Sequence, residues 1–462
     1  MAAPDRGKPK TPQQILRSVV ELCADCDTCR PLMDKDCLFF PELYRLWDQE
    51  KESGVPLAEA ELRSLMELCT LCGLCPCPRI PADVMEAKSR YIDQEGLSAV
   101  TRLLNDVPRV ARLCSTAPRL ANALQSNTVI GPLLRKITHI HPDRQVPPFP
   151  EQNFFQWAEK RGLTGRREGG RTVTYFAGCS AGYLFPQIGR AVVEVLERNG
   201  MAVHVPPQHC CGMPHLLEGD RQATLERTTF NIGHLLEALR AGDDLVTSCP
   251  SCGYYMKILL KDRAYFSEAY QRSVGAGDDE LKMPSPTQEN RNRRWVLKKS
   301  MFRHILKDDG YFSSLDPMDR INLAEHLFDA GEYMARLHAE GRFDTGFAPL
   351  PERMVYFAPC HQREQKMGRP YLDLLGQIPG MTIEPVGGGI DCCGMGGNFG
   401  FKADFYEKSL ALGQNIMGKI RGKDPQAIVT DCMSCRLQFN HALPYPVFHP
   451  MEVLARAYQE NE

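Results

Sequence analysis

Cys210-Cys211-Gly212 and Cys392-Cys393-Gly394 are the two stretches that decide how this chain of 462 residues is built. Adjacent cysteines are poor disulfide partners, because the ring they would close strains the peptide between them, so two such doublets indicate thiolates held for a metal centre. Each doublet is flanked by a lone cysteine upstream and a Cys-x-x-Cys pair downstream, which makes an internal repeat of two five-cysteine sets. The sets are Cys179, Cys210, Cys211, Cys249 and Cys252, and Cys360, Cys392, Cys393, Cys432 and Cys435.

Short apolar runs alternate with helical segments around each set, in the pattern of a parallel sheet covered by helices. Each cysteine then falls just beyond the end of a strand, and the carboxyl edge of a parallel sheet is where such folds usually build sites. We therefore predict an α/β fold with two repeated small parallel-sheet domains, over residues 171–350 and 351–462. The predicted strands are 172–176, 202–205 and 245–247, then 354–358, 381–385 and 428–430, with helices over 187–197 and 223–239.

A second internal repeat lies in residues 1–100, where two cysteine triplets each follow a helical segment. Three cysteines at two-residue gaps wrap one cubane 4Fe-4S cluster, which a fourth, more distant cysteine completes. Apolar residues at helical spacing precede each triplet and predict a buried stripe on each helix. The triplets are Cys23, Cys26 and Cys29, then Cys69, Cys72 and Cys75, and the stripes are Leu16, Val19 and Val20, then Leu62, Leu65 and Met66.

These triplets resemble those of two-cluster ferredoxins, in which the fourth cysteine of each motif ligates the other cluster. The resemblance implies that Cys77 joins the triplet of Cys23, and that Cys37 joins the triplet of Cys69. The spacing departs from the ferredoxin pattern, since seven residues separate Cys29 from Cys37 and one separates Cys75 from Cys77, so the crossed assignment is a hypothesis. We expect a helical, two-cluster ferredoxin-like domain over residues 1–100 and a helical connector over 101–170.

Composition narrows the class of protein. The formal net charge of −2 argues against nucleic-acid binding. No apolar stretch reaches the roughly 18 residues that a transmembrane helix needs, and the start of the chain has no secretory signal. We therefore expect a cytoplasmic protein, in which nineteen cysteines are better explained by metal ligation than by disulfides. Zinc is the usual metal at an isolated Cys-x-x-Cys pair, whereas triplets combined with doublets favour iron–sulfur clusters.

Three residues near the cysteine sets have structural interpretations. Cys114 lies outside every set and is expected to be a buried structural thiol. His209 and His361 each adjoin a cysteine of a set and are expected to be hydrogen-bonding neighbours rather than ligands or proton shuttles. The glycines around the second doublet match neither the dinucleotide fingerprint nor the phosphate loop, so we expect no flavin or nucleotide bound by this chain alone.

The five-cysteine pattern resembles the CCG domain. Two such domains after a two-cluster unit resemble the fused iron–sulfur subunit (D-type, C+B) of heterodisulfide reductase, and also the iron–sulfur subunits of anaerobic glycerol-3-phosphate dehydrogenase and of glycolate and lactate oxidases. The stretch from Cys392 to Phe401 and Thr430-Asp431-Cys432 are close to that group. The resemblance implies two cubane 4Fe-4S clusters at the amino-terminal cysteines and a noncubane 4Fe-4S cluster in each CCG domain. In heterodisulfide reductase two noncubane clusters face each other and split a disulfide by one-electron steps.

The resemblance further implies an electron-transfer subunit of a multi-subunit anaerobic oxidoreductase. Its partner would be a flavoprotein, including electron-bifurcating ones, another redox subunit, or a quinone-linked membrane subunit that would hold the chain at the inner face of the membrane. One alternative is a catalytic disulfide reductase subunit, with Cys210, Cys211, Cys392 and Cys393 at the reacting centres. A second alternative is a zinc-bound scaffold.

Overall fold

Helices build the amino-terminal unit in the computed structural model, which describes residues 10–166, 171–285, 294–302 and 305–459. Helix α1 starts where Thr11 and Gln14 cap each other's backbone N–H groups. The predicted stripes are confirmed, because all six side chains are at most 5% exposed. The helical prediction is therefore confirmed, while the ferredoxin-like description stays a prediction. The helices are α1 (Pro12–Cys26), α2 (Cys29–Leu32), α3 (Phe39–Ser53), α4 (Glu59–Glu67) and α5 (Arg79–Glu95).

Five short helices form the connector. Pro108 and Pro118 lie in the first turn of α7 and α8, where the missing N–H of proline costs no intrahelical hydrogen bond. Each proline therefore begins a helix as well as separating it from the one before. Cys114, at the end of α7, is only partly buried, so the prediction of a buried thiol at this position was wrong. The helices are α6 (Ala99–Asn105), α7 (Val107–Cys114), α8 (Pro118–Ser126), α9 (Ile130–Ile137) and α10 (Phe154–Lys160).

The first sheet domain has four parallel strands in the order β2-β1-β3-β6. An antiparallel hairpin, β4-β5, lies in the insert that precedes the fourth strand. The elements are β1 (Thr172–Phe176), α11 (Pro186–Arg198), β2 (Ala202–His204), α12 (Met213–Leu217), α13 (Arg221–Arg240), β3 (Asp244–Thr247), α14 (Pro250–Tyr254), α15 (Glu268–Ser273), β4 (Glu280–Pro284), β5 (Arg294–Lys298), α16 (Lys299–Phe302), α17 (Pro317–His326), β6 (Leu327–Asp329) and α18 (Ala330–Ala339).

The second sheet domain repeats this topology, with four parallel strands in the order β8-β7-β9-β10. In both domains the first strand in sequence pairs with the second and the third, and the fourth lies outside the third. The predicted α/β fold with two repeated parallel sheets is therefore confirmed. The elements are β7 (Arg353–Tyr356), α19 (Cys360–Glu364), α20 (Pro370–Leu375), β8 (Thr382–Pro385), α21 (Tyr406–Lys423), β9 (Ala427–Val429), α22 (Met433–Ala442), β10 (Val447–Phe448) and α23 (Pro450–Gln459).

The two sheet domains share one hydrophobic core. It contains Tyr175 and Val246 from the first sheet together with Tyr356 and Val429 from the second, all at most 1% exposed. Helix α11 packs on α23 and α18 packs on α20, so helices of one repeat cover the other. The amino-terminal helices have a separate core, which Phe399 of the second repeat joins. Among the described residues, no helix is long and apolar enough to cross a membrane.

Candidate metal centres

The first thiol site comprises the five cysteines of the first set, which lie beyond three neighbouring strand ends. Cys179 follows β1, the doublet follows β2, and Cys249 precedes α14 directly after β3, with Cys252 in the first turn of that helix. All five side chains are buried. The sulfur atoms of Cys179 and Cys210 are 3.5 Å apart. The sheet topology thus brings together the five thiols that the sequence grouped.

The second thiol site comprises the five cysteines of the second set and has the same construction. Cys360 begins α19, the doublet follows β8, and Cys432 and Cys435 flank the start of α22. The sulfur atoms of Cys393 and Cys435 are 3.1 Å apart. Cys360 and Cys392 are partly exposed, whereas their counterparts in the first site are buried. The second site is therefore the more accessible of the two.

A glycine after each doublet is required by the backbone. Gly212 and Gly394 have φ values of +111° and +85°, in the region that side chains disfavour. A Cβ at Gly394 would collide with the Ser409 carbonyl oxygen of α21, and one at Gly212 would lie 2.9 Å from the Tyr255 hydroxyl oxygen. These glycines let the doublet loop lie close to neighbouring protein atoms, the Ser409 backbone and the Tyr255 side chain.

The thiols of each site cannot all ionise together without a compensating cation. Hydrogen bonding with Cys179 lowers the pKa of Cys210 well below its usual range and raises that of Cys179. In the second site, hydrogen bonding with Cys392 lowers the pKa of Cys393, and the same contact raises that of Cys392. A bound metal would supply the positive charge that lets the remaining thiols become thiolates. The five neighbouring thiols of each site therefore fit the donor set of an iron–sulfur cluster.

The amino-terminal cysteines fall into two groups. The thiol of Cys23 interacts electrostatically with Cys29, Cys77 and Cys26, and burial is the main cause that raises its pKa to about 12. Cys37 is partly buried, desolvation raises its pKa to about 12 as well, and its cysteine neighbours are Cys72 and Cys69. Cys75 interacts with Cys69, Cys72 and Cys37, and more weakly with Cys29. The structure thus places Cys77 beside the first triplet and Cys37 beside the second.

One cavity of about 600 Å³ joins the two thiol sites. Both repeats and the second amino-terminal triplet contribute thiols to its wall, and apolar residues of the connector, such as Val107 and Val110, complete it. Within the described ranges, no three histidine, cysteine, aspartate or glutamate side chains are grouped as one metal ion would require. The lining thiols are Cys72, Cys179, Cys211, Cys249, Cys252, Cys360, Cys392, Cys393, Cys432 and Cys435.

His361 ties three of the thiol groups together at this cavity. Its Nδ1 is hydrogen-bonded to the Ser251 hydroxyl at 2.9 Å, and its Nε2 to the Leu71 carbonyl oxygen at 3.2 Å. Its ring stacks on Tyr254 with 4.6 Å between centroids, and burial lowers its pKa to about 4. A neutral ring satisfies both hydrogen bonds. The prediction of a hydrogen-bonding neighbour is confirmed for His361, whereas the exposed ring of His209 lies against Phe230.

In each repeat a tyrosine that was not predicted as a site residue contacts the residue just before the Cys-x-x-Cys pair. The Tyr175 hydroxyl contacts the Ser248 hydroxyl at 2.7 Å, and the Tyr356 hydroxyl donates to Asp431 Oδ1 at 3.3 Å. Each partner immediately precedes the first cysteine of the pair. The sequence repeat could have identified them, because each tyrosine lies four residues before the lone cysteine of its set.

Comparison with known proteins adds a family and several relatives. The cysteine-rich CCG domain family matches residues 173–257 and 354–440. One subunit of the anaerobic glycerol-3-phosphate dehydrogenase of Escherichia coli (strain K12) is 23% identical over 75% of this chain and 79% of its own length. One subunit of the fumarate reductase (CoM/CoB) of Methanothermobacter marburgensis is 24% identical over 96% of this chain and 73% of its own length.

Lactate utilization protein A 2 of a Bacillus cereus strain is 22% identical over 62% of this chain and 98% of its own length. The two matched CCG segments contain all ten cysteines of the thiol sites. They also begin within one residue of β1 and β7, so each covers the same portion of its sheet domain. The chain therefore contains the cysteine-rich CCG domain twice, once in each of its sheet domains.

Proposed function

We propose that this chain is an iron–sulfur electron-transfer subunit of a larger oxidoreductase. One observation carries the proposal: the four thiol groups are neighbours in series. The group of Cys23 includes the exposed Cys26 and adjoins the group of Cys69 through Cys29 and Cys75. Cys72 in turn interacts with Cys360 and Cys392 of the second thiol site. The series leads from the protein surface to the shared cavity.

The proposed ligands follow from these groups. Cys23, Cys26, Cys29 and Cys77 would hold one cubane 4Fe-4S cluster, and Cys37, Cys69, Cys72 and Cys75 a second. Each five-thiol site would hold a noncubane 4Fe-4S cluster. Clusters bound there would accept and release single electrons, at potentials set by burial and by hydrogen bonds to their ligands. The protein contributes that burial and the hydrogen bonds of Thr28 to Cys26 and of the Gly394 N–H to Cys392.

The donor or acceptor is a separate subunit in this proposal. The names of two relatives describe subunits, one of an anaerobic glycerol-3-phosphate dehydrogenase and one of a fumarate reductase. With no flavin or nucleotide motif of its own, the chain would exchange electrons with a flavoprotein or another redox subunit. The group of Cys23 is the entry point that we propose for this exchange, since Cys26 is exposed.

A catalytic function is the second candidate, and the shared cavity favours it. Thiols of both CCG sites face one space, so a two-electron acceptor such as a disulfide would contact both sites at once. Cys210, Cys211, Cys392 and Cys393 would then belong to the reacting centres. In this case the connector residues on the cavity wall would exclude water from the substrate.

Anaerobically purified protein separates the candidates. The proposal expects iron and acid-labile sulfide in about equal amounts, with about sixteen iron atoms per chain. It also expects reduction by a low-potential dye but no turnover of small disulfides without a partner. Disulfide turnover by the chain alone would establish the catalytic candidate instead. Colourless protein that binds zinc and contains no sulfide would refute both and leave the scaffold alternative.

A matched pair of variants tests the assignment of the thiols. Cys393→Ser should remove the spectrum of one CCG cluster and leave the cubane signals in place, because the amino-terminal helices have their own core. Cys114→Ser changes a cysteine outside all four groups and should retain the full iron content. Loss of all iron in the first variant, or of any cluster in the second, would contradict the assignment.

A further inference from the structure

Helices α8 and α9 of the connector turn their apolar side chains to solvent. Of the fifteen large apolar side chains that are exposed in the described residues, eight lie between Leu103 and Ile137. On α9 the exposed apolar residues are Ile130, Leu133, Leu134 and Ile137, a spacing that puts all four on one face of the helix. We call the exposed side chains of Leu113, Leu120, Val129, Leu133, Leu134 and Ile137 the connector apolar face.

Folding of the chain does not account for this face. Helix α8 buries none of its residues, and α9 buries only Gly131. Amphipathic helices of a soluble domain normally direct their apolar stripe toward the core, as α1 and α4 do here. A contiguous apolar surface that remains outside the core marks a site of interaction with a membrane or another protein.

Every charged side chain within residues 107–142, which contain the connector apolar face, is positive, and the acidic residues Asp106 and Asp143 lie just outside this segment. Residues 107–142 contain Arg109, Arg112, Arg119, Arg135 and Lys136 but not one aspartate or glutamate, although the whole chain has a net charge of −2. Arg119 pairs with Glu151 just beyond this segment, and both side chains are well exposed. The same segment contains no phenylalanine, tyrosine or tryptophan, the residues that enrich the centres of protein–protein interfaces.

We propose that the connector apolar face docks this chain directly onto an anionic lipid surface. Helices with leucine and isoleucine on one side and arginine or lysine on the other lie in the headgroup region of a bilayer, without spanning it. Each cation near such a surface adds to the attraction of its anionic lipids. The proposal needs neither a membrane-spanning partner nor any bound cluster, so it stands independently of the proposed electron-transfer function.

Docking in this way would also bring the shared cavity to the membrane. Val107, Val110 and Ala111 of α7 line the cavity, and Leu113 of the same helix belongs to the connector apolar face. One short helix therefore contacts the cavity on one side and the proposed lipid surface on the other.

Vesicle co-sedimentation of the full-length protein tests the proposal. Vesicles of phosphatidylcholine with about one third phosphatidylglycerol should bind the protein, and binding should weaken as salt rises. Pure phosphatidylcholine vesicles should bind the protein at least about tenfold more weakly than the anionic vesicles. The double variant Leu133→Glu with Ile137→Glu should lose at least about tenfold in partitioning, because two apolar contacts become charges. Arg135→Glu with Lys136→Glu should lose about fivefold per residue on the anionic vesicles only.

Val55→Glu is the matched control, since Val55 is 65% exposed in the amino-terminal unit, away from the connector. It should bind like the unmodified protein, and all variants should keep the circular dichroism and iron content of the parent. Failure of the parent protein to bind anionic vesicles would overturn the proposal. Unchanged binding by the Leu133 and Ile137 double variant would overturn it as well. Neither result would affect the dye and iron measurements that test the electron-transfer function.

Discussion

Replacing His361 by alanine should remove contacts that hold three of the thiol groups in position. The ring links α19 of the second repeat to Ser251 beside Cys252, and to Leu71 beside Cys72. Leu71 has a φ of +51°, a left-handed conformation that is unfavourable for leucine. The hydrogen bond to its carbonyl oxygen therefore helps to hold a strained turn between two proposed cluster ligands.

The expected loss of stability is about 3 kcal/mol. Each of the two hydrogen bonds contributes about 1 kcal/mol, and the buried Leu71 carbonyl oxygen would lose its side-chain partner. Loss of the stacked ring on Tyr254 adds about 1 kcal/mol. Because His361 is 8% exposed, water replaces these contacts poorly. The Leu71 turn can then relax, and the cluster proposed at Cys69 and Cys72 should be the first to be lost.

Anaerobic urea unfolding measures the stability, and electron paramagnetic resonance shows which cluster is lost. His209→Ala is the control, since that ring is exposed, and it should change the free energy of unfolding by less than about 0.5 kcal/mol. Equal stability of the two variants would refute the role of His361. Selective loss of the cluster at Cys23, with the cluster at Cys69 intact, would refute the proposed geometry.

Three other predictions concern single positions. Cys37→Ala should abolish the cubane cluster proposed at Cys69 and leave the one at Cys23, and two intact cubane spectra would remove Cys37 from the ligands. Gly394→Ala should reduce the iron bound by the second thiol site, because a Cβ would collide with the carbonyl oxygen of Ser409 and the φ of +85° is disfavoured; Gly388→Ala, where a Cβ meets open space, should retain it. The third prediction is acid sensitivity: burial lowers the pKa of His449 to about 3, so the folded state keeps this ring neutral while the unfolded chain protonates it below about 6.5. Stability present above that pH should fall by about 1.4 kcal/mol per pH unit on acidification toward 3, and the slope should decrease in His449→Gln, as measured by urea unfolding at several pH values.

The strands that precede the site cysteines were predicted from the sequence, whereas the other strands were missed. All six predicted strands are present, with ends that agree within two residues, because each combines an apolar run with a following ligand. The fourth strands, β6 and β10, have three and two residues. Such short segments show no detectable periodicity, and only pairing with β3 and β9 makes them strands. The order of the strands in each sheet therefore could not be predicted from sequence patterns.

The grouping of ligands was predictable in part. Repetition of the cysteine pattern was enough to predict which five thiols of each repeat come together. The shared cavity was not predictable, because it depends on how the two repeats and the connector pack on one another. The hydrogen bond between Leu71 and His361 joins residues 290 positions apart in sequence, and no local sequence pattern predicts it.

The common core of the two sheet domains has a consequence for proteins that contain a single repeat. Helix α11 packs on α23, and α18 packs on α20, across the boundary between the repeats. A lone repeat would expose that apolar face to water and would need a second copy, or a different subunit, to cover it. This chain can therefore be regarded as a dimer fused into one polypeptide. Because the two repeats are covalently linked, they are always present in equal numbers. Fusion also lets the two halves diverge, as the unequal exposure of their cysteines already shows.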